Sequence, residues 1–172
     1  MSPLPAAVLQ YFEGEKLEAL IFILPIGLLS AVFGAWLLAE GRSGFARGVA
    51  IPFVGMGLLM TVIGATVGFR TPGQVRRLEQ AWARDATSAV AAETARMERV
   101  NRNWGPYLVA WAAFGVVGLG LRFGTSRDVT QGVGIALVFF SGVGLLVDGF
   151  AERRTYPYAE ALKAAIAPPP AS

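Results

Sequence analysis

The sequence predicts an all-α integral membrane protein: four transmembrane helices arranged as two tandem hairpin repeats, parallel and related by a pseudo-two-fold axis, with cytoplasmic amphipathic helices. Three observations predict it. The apolar residues, 54% of the chain, gather in four long blocks, and long uncharged blocks mark bilayer spans. The basic residues fall mostly on one side of those blocks. The sequence also matches itself at an offset of 84 residues.

The first half, 1–84, opens with an amphipathic helix over 4–16. Its first span, 19–39, contains the uncharged run Leu20–Ala39. The acidic residues before it, Glu13, Glu15 and Glu18, argue against a cleaved leader, which needs a basic start, so the block is expected to remain as a span. A second span over 49–69 is again free of charge, and a helix over 73–84 follows. The second half, 85–168, repeats the order: helix 87–103, span 106–122, span 132–150, helix 157–167. Residues 169–172 are expected to form a disordered tail. The third span is the weakest. Its apolar run, Tyr107–Leu121, covers about 22 Å of a hydrocarbon core about 30 Å thick, so Trp104, Tyr107 and a snorkelling Arg122 complete it.

Four spans bring both termini to one side. That side carries Lys16, Arg70, Arg76, Arg77, Arg84, Arg96, Arg99, Arg102, Arg153, Arg154 and Lys163, against Arg42, Arg47, Arg122 and Arg127 on the other. The positive-inside rule makes the richer side cytoplasmic. Thirteen of the fifteen basic residues are arginine, a bias of GC-rich bacterial genomes. The expected location is therefore a bacterial inner membrane, multi-pass, with both termini cytoplasmic.

At the 84-residue offset, eleven identities fall between positions 30 and 81. Gly34 meets Gly118, Gly48-Val49 meets Gly132-Val133, Val54 meets Val138, and Arg70-Thr71 meets Arg154-Thr155. Each half crosses twice, so the halves share one orientation and are related by an axis along the membrane normal. Both second spans end in Arg-Thr with a proline close behind, Pro72 and Pro157. The sequence reads there as a membrane exit. Arg reaches lipid phosphate, Thr caps a new helix, and Pro occupies its first turn, where no backbone donor is needed.

Between the spans, Val75, Leu78, Trp82, Ala86, Ala89, Met97, Val100 and Trp104 recur mostly at spacings of three and four, the pattern of an amphipathic helix. Asp85, Thr87 and Ser88 interrupt it with good N-cap residues, which predicts two helices. At the offset Glu15 meets Arg99 and Glu18 meets Arg102. The two pre-membrane helices are therefore expected to lie side by side and pair through these charges. Binding of the arginines to lipid phosphates, worth about 1 kcal/mol each, is the other reading.

Small residues recur at a spacing of four, as in Gly27, Ala31, Ala35 and Ala39. Such stripes let helix backbones approach closely. The expected packing positions are Gly27, Ala31, Ala35, Gly57, Gly64, Gly68 and Gly120.

There is no cysteine and no histidine, which removes disulfides, thiolate nucleophiles, Cys/His zinc sites and His-ligated haem. Polar side chains inside the spans reduce to Ser30, Thr61, Thr66 and Ser141, with Glu40 and Asp148 at span ends. Asp148 reads as a satisfied interfacial carboxylate beside Glu152, Arg153 and Arg154. Ser141-Gly142 lacks the leading glycine and the base of an intramembrane serine protease. Gly118–Gly124 lies in a span, with no strand before it and no Lys-Ser/Thr after it, so it is no phosphate loop. No catalytic, cofactor-binding or metal-binding set is predicted, and the formal charge of +3 does not suggest nucleic acid.

The expected function is that of a non-catalytic accessory or interaction subunit, or an immunity-type protein. Arg70, Arg76, Arg77, Trp82, Arg84, Arg96, Arg99, Arg102, Arg153 and Arg154 would form a basic collar that docks a partner or anionic lipid headgroups. Besides the bilayer, the expected partner is another membrane protein or a second copy of the chain. Two other readings stay open. One is a homo-oligomeric channel or transporter with Thr61, Thr66 and Ser141 on its lumen. The other is a membrane enzyme, for which no residue spacing argues.

Overall fold

The computed structural model describes residues 6–166. The start of the helix expected over 4–16, the end of the one expected over 157–167, and the tail 169–172 lie outside the described residues. Within them the chain is all-helical, without strands, and forms four long rods. The first comprises α1 (Ala6–Glu18), a wide π-helical turn (Ala19–Ile23) and α2 (Leu24–Glu40). The others are α3 (Gly44–Arg84), α4 (Ala86–Phe123) and α5 (Asp128–Ile166). All four are long and apolar enough to cross a membrane.

Short polar caps make the connections. The Ser43 hydroxyl accepts from the Ala46 N–H at 3.1 Å and opens α3. Asp85 alone separates α3 from α4. Its N–H bonds the Ala81 carbonyl and closes α3, while its carboxylate accepts from the N–H groups of Thr87 and Ser88 at 3.1 and 3.2 Å. One side chain thus satisfies two donors that a helix start leaves without partners, at the break expected from the sequence. Before α5, the Thr125 hydroxyl accepts from the Arg127 N–H at 2.9 Å.

The helix stops expected at Arg-Thr-Pro do not occur. α3 continues through Pro72 and α5 through Pro157. Thr71 and Thr155 are buried and do not cap. Their hydroxyls donate backwards, to the carbonyls of Val67 and Glu152, each at 2.7 Å. A proline inside a helix takes the donor from a carbonyl one turn back and crowds it. The threonine hydroxyls bond the carbonyls next to the ones that lose a donor, those of Gly68 and Arg153, and both helices run on through the proline. Pro25 is handled differently. The π-helical turn lies directly before it, with the Leu24 N–H reaching the Ala19 carbonyl. The wider turn relieves the crowding that the proline ring would otherwise cause.

In the packing, α2 lies along α3, α4 along α5, and α3 against α5, while α1 touches α3 and α5. Missing side chains set how closely these helices meet. A Cβ on Gly34 would stand 2.7 Å from the Val54 nitrogen, and one on Gly118 would stand 2.9 Å from the Val138 nitrogen. Real Cβ atoms do not come that close, so only glycine fits. Gly48 abuts Val129 where α3 crosses α5, and Gly132 abuts Phe45 at the same crossing.

Of the expected packing positions, Gly27, Ala31, Gly57, Gly64 and Gly68 lie in the seam between the first rod and α3. Ala35 is exposed, and Gly120 has nothing within 4 Å of the space a side chain would take. A stripe of every fourth residue drifts around a helix of about 3.6 residues per turn. After Ala31 the contact therefore passes to Gly34 rather than Ala35.

At the end where the described chain starts and finishes, all four rods contribute to one apolar cluster. Val8, Tyr11 and Phe12 come from α1, Val90 and Met97 from α4, and Tyr158 and Leu162 from α5, with Val75, Leu78 and Trp82 of α3 packed against them. This end is a four-helix head, continuous with the spans.

Candidate functional site: the helical head and the groove below it

The head core holds one buried ionic cluster. Glu93 stands on the same α4 stripe as Val90, Met97 and Val100, so its carboxylate faces inward and needs a cation. Arg96, one turn on, supplies it. Its Nε donates to both Glu93 oxygens at 3.0 and 2.9 Å, and Nη2 donates to Oε1 at 2.6 Å. The Tyr158 hydroxyl of α5 donates to the same Oε1. The Tyr158 ring stacks on Tyr11 of α1 at 4.5 Å, and the Arg96 guanidinium lies 5.9 Å from the Phe12 ring centre. The cluster therefore ties α1, α4 and α5 together. Burial, and then the Glu93 carboxylate, push the Tyr158 hydroxyl well above the ordinary tyrosine value of 10. Burial and nearby Glu15 raise Tyr11. For Arg96, burial opposes the charge, but Glu93 outweighs it and the guanidinium holds its proton more tightly than usual.

Two further ion pairs fix α1 beside the proline sites. Arg70 lies 3.5 Å from Glu15, and Arg154 donates to Glu18. The expected pairs, Glu15 with Arg99 and Glu18 with Arg102, do not form. The reason is placement: α1 meets α4 through Phe12 and Arg96 nearer its start, while its acidic end, Glu15 and Glu18, lies against α3 and α5. The arginines within reach are thus Arg70 and Arg154, at the ends of the second spans. Asp148 accepts from the Trp111 indole N–H at 2.6 Å rather than from the neighbouring arginines.

The ten collar residues therefore divide. Arg70, Arg96 and Arg154 are engaged within the protein, and Trp82 packs on the head core. Arg76, Arg77, Arg84, Arg99, Arg102 and Arg153 are exposed and make no ion pair among the described residues. Thr61, Thr66 and Ser141 are not brought together. Thr61 faces Gly27 and bonds the Gly57 carbonyl at 2.8 Å, Ser141 bonds the Trp111 carbonyl at 2.7 Å, and Thr66 is exposed. Glu93, Tyr158 and Tyr11 were not among the expected site residues. The available signal was a carboxylate standing on an otherwise apolar stripe with an arginine one turn away.

Below the head, α2 follows α3 and leaves a lateral opening toward α5. This groove has a volume of about 830 Å³. Leu17, Ile21 and Ile26 form one wall and Val143, Leu146 and Phe150 the other, with Glu18, Arg153 and Arg154 at the mouth beside the head. The Arg154 stem crosses Gly14, where a Cβ would come within 2.9 Å of its Cδ.

No family model matches this chain, and neither does any curated protein or solved structure.

Proposed function

We propose that the chain is a non-catalytic accessory protein of a bacterial inner membrane, with both termini cytoplasmic, whose projecting head docks an acidic face of another protein. The distribution of free cations carries this reading. Attraction to an anionic lipid surface is worth about 1 kcal/mol per basic residue and fades within a Debye length of about 10 Å. Arg102 and Arg153 stand close to the span ends, where lipid phosphate accounts for them. Arg84 stands on the same continuous helix as Arg70, about 21 Å further along. Arg76 and Arg77 stand about 9–11 Å beyond Arg70, at the limit of that reach, and Arg99 about 5 Å beyond Arg102. Arg84 stands beyond the reach of the bilayer, and an acidic partner face would complement it together with the arginines on the same side of the head. An immunity-type role is one form of such docking.

The tandem hairpin belongs to the same reading. It is supported by contacts that correspond at the 84-residue offset. Gly34 meets Val54 where Gly118 meets Val138, and Gly48 meets Val129 where Gly132 meets Phe45. A parallel repeat places both hairpins with their exits, and their basic residues, on one side.

The test reverses charge at Arg76, Arg77, Arg84 and Arg99 together. The native protein should leave its own membranes with a different protein in fixed proportion. The reversed variant should lose that protein while keeping its helicity and melting temperature. A ring of identical copies that survives the reversal would replace this reading with the channel.

A further inference from the structure

The lateral groove below the head has features that partner docking by the head does not use. Its walls are apolar, and it is short. Leu17 to Ile26 is about 14 Å of helix, close to half of a hydrocarbon core about 30 Å thick. A partner's transmembrane helix would need a face running the full depth of the bilayer. A groove of one leaflet's depth fits a single lipid chain. Its mouth is polar on the side where the spans leave the membrane. Glu18 takes one arm of the Arg154 guanidinium, while the Arg154 Nε is buried with no acceptor. A buried N–H without an acceptor costs free energy that an arriving anion restores. Arg153, next in the chain, is exposed and free of ion pairs among the described residues. The carboxylates near the mouth are Glu18, already bound to Arg154, Glu15, paired with Arg70, Asp148, held by the Trp111 indole, Glu13 on α1, and Glu152 on α5.

We propose that this groove binds one anionic phospholipid of the surrounding leaflet. One acyl chain lies between Ile21, Ile26, Val143 and Leu146, and the phosphate accepts from Arg153 and, once the Arg154 side chain shifts to open it, from the unpartnered Nε of Arg154. The apolar walls hold the chain, and the arginine pair selects the headgroup. Arg153 is a point of electrostatic attachment. Arg154 is held by Glu18 and by its passage over Gly14, and a small shift of its guanidinium brings the unpartnered Nε to the phosphate.

The test uses the full chain in mild detergent, exposed to equal amounts of phosphatidylglycerol and phosphatidylcholine and read by native mass spectrometry. One phosphatidylglycerol should be retained per chain, with little phosphatidylcholine. Arg153→Gln should weaken retention roughly fivefold to tenfold, as loss of one basic contact to an anionic lipid predicts. Arg154→Gln also breaks the Glu18 pair, so a second variant, Leu146→Trp, fills the groove without touching a charge and should abolish the single adduct while circular dichroism stays unchanged. Equal retention of the two lipids overturns the proposal. So does a ladder of adducts indifferent to Arg153→Gln and Leu146→Trp, or a protein occupying this face instead. The charge-reversed head variant should keep its lipid, which separates this proposal from docking by the head.

Discussion

Replacing Glu93 by alanine removes the acceptor that joins α4 to α5 in the head. The cost follows from what each partner can do afterwards. Tyr158 is fully buried, so its hydroxyl loses its acceptor with no water to replace it, a penalty of about 1–3 kcal/mol. The Arg96 side chain keeps 34% exposure and can turn toward solvent, so its share is discounted to about 1 kcal/mol, the upper end for a solvated ion pair. The sum is about 2–4 kcal/mol. For a chain of this size each kcal/mol moves the melting temperature by roughly 2–4 °C, so Glu93→Ala should melt about 4–16 °C lower. Trp82 packs on the head core, so the emission of a variant retaining only that tryptophan reports the head directly. Glu93→Gln, which keeps an oxygen for Tyr158 but loses the charge, should lie between. The double variant Glu93→Ala, Tyr158→Phe should be more stable than Glu93→Ala alone, because it removes the stranded hydroxyl. A Glu93→Ala protein that melts within a degree of the parent would refute the reasoning, and so would strict additivity of the two changes.

Three further outcomes are expected. Gly118→Val should disrupt the α4–α5 hairpin and broaden the protein's gel-filtration peak, whereas Gly120→Ala, with open space around it, should gain about 0.5–1 kcal/mol in thermal unfolding. Tyr158 and Tyr11 hold their protons above the usual value of 10. The unfolded tyrosines ionise near that pH while the folded ones stay neutral, so stability present below pH 10 should fall above it, by about 1.4 kcal/mol per pH unit for Tyr158, with Tyr11 acting in the same direction. Tyr158→Phe should reduce that slope in alkaline melts. The sequence has no cysteine, so single cysteines report topology cleanly: Arg84→Cys should react with an impermeant maleimide only in inverted vesicles, and Ser126→Cys only in intact cells with a permeabilised outer membrane.

Four apolar blocks were legible because a helix must satisfy its own backbone in lipid, which demands long uncharged runs. The break at Asp85 was legible because capping chemistry is local. The continuity of the rods was not. Arg-Thr-Pro resembles a stop, and whether a threonine caps forward or bonds backward depends on which face is buried. That face is set by helices distant in sequence. The pairing of Glu15 and Glu18 was misplaced for the same reason: matching charges at the 84-residue offset says nothing about which helix stands beside α1. Glu93 escaped notice because a list of apolar positions skips a carboxylate, although its place between Val90 and Met97 put it on the buried stripe.

Under the proposed duplication, the two hairpins agree where helices touch and differ where the surface is exposed. Gly34 and Gly118 keep their contacts, as do Gly48 and Gly132. At the positions that correspond to the groove, the second half carries Asn101 for Leu17, Arg102 for Glu18, Gly105 for Ile21 and Ala110 for Ile26, and the facing helix carries Thr66 for Phe150. The wall from the first rod thus corresponds to small or polar residues, the wall from α5 stays apolar at Leu59 and Val62, and the Glu18 that orients Arg154 corresponds to a cation. Backbone proximity requires glycine at the seams in both halves, so those positions cannot diverge without separating the helices. The groove has no such requirement. Its walls and its arginine mouth are a property of the first hairpin facing α5, added to a symmetric scaffold rather than dictated by it. That locates any ligand specificity of this chain at Glu18, Arg153 and Arg154 and the apolar residues beneath them.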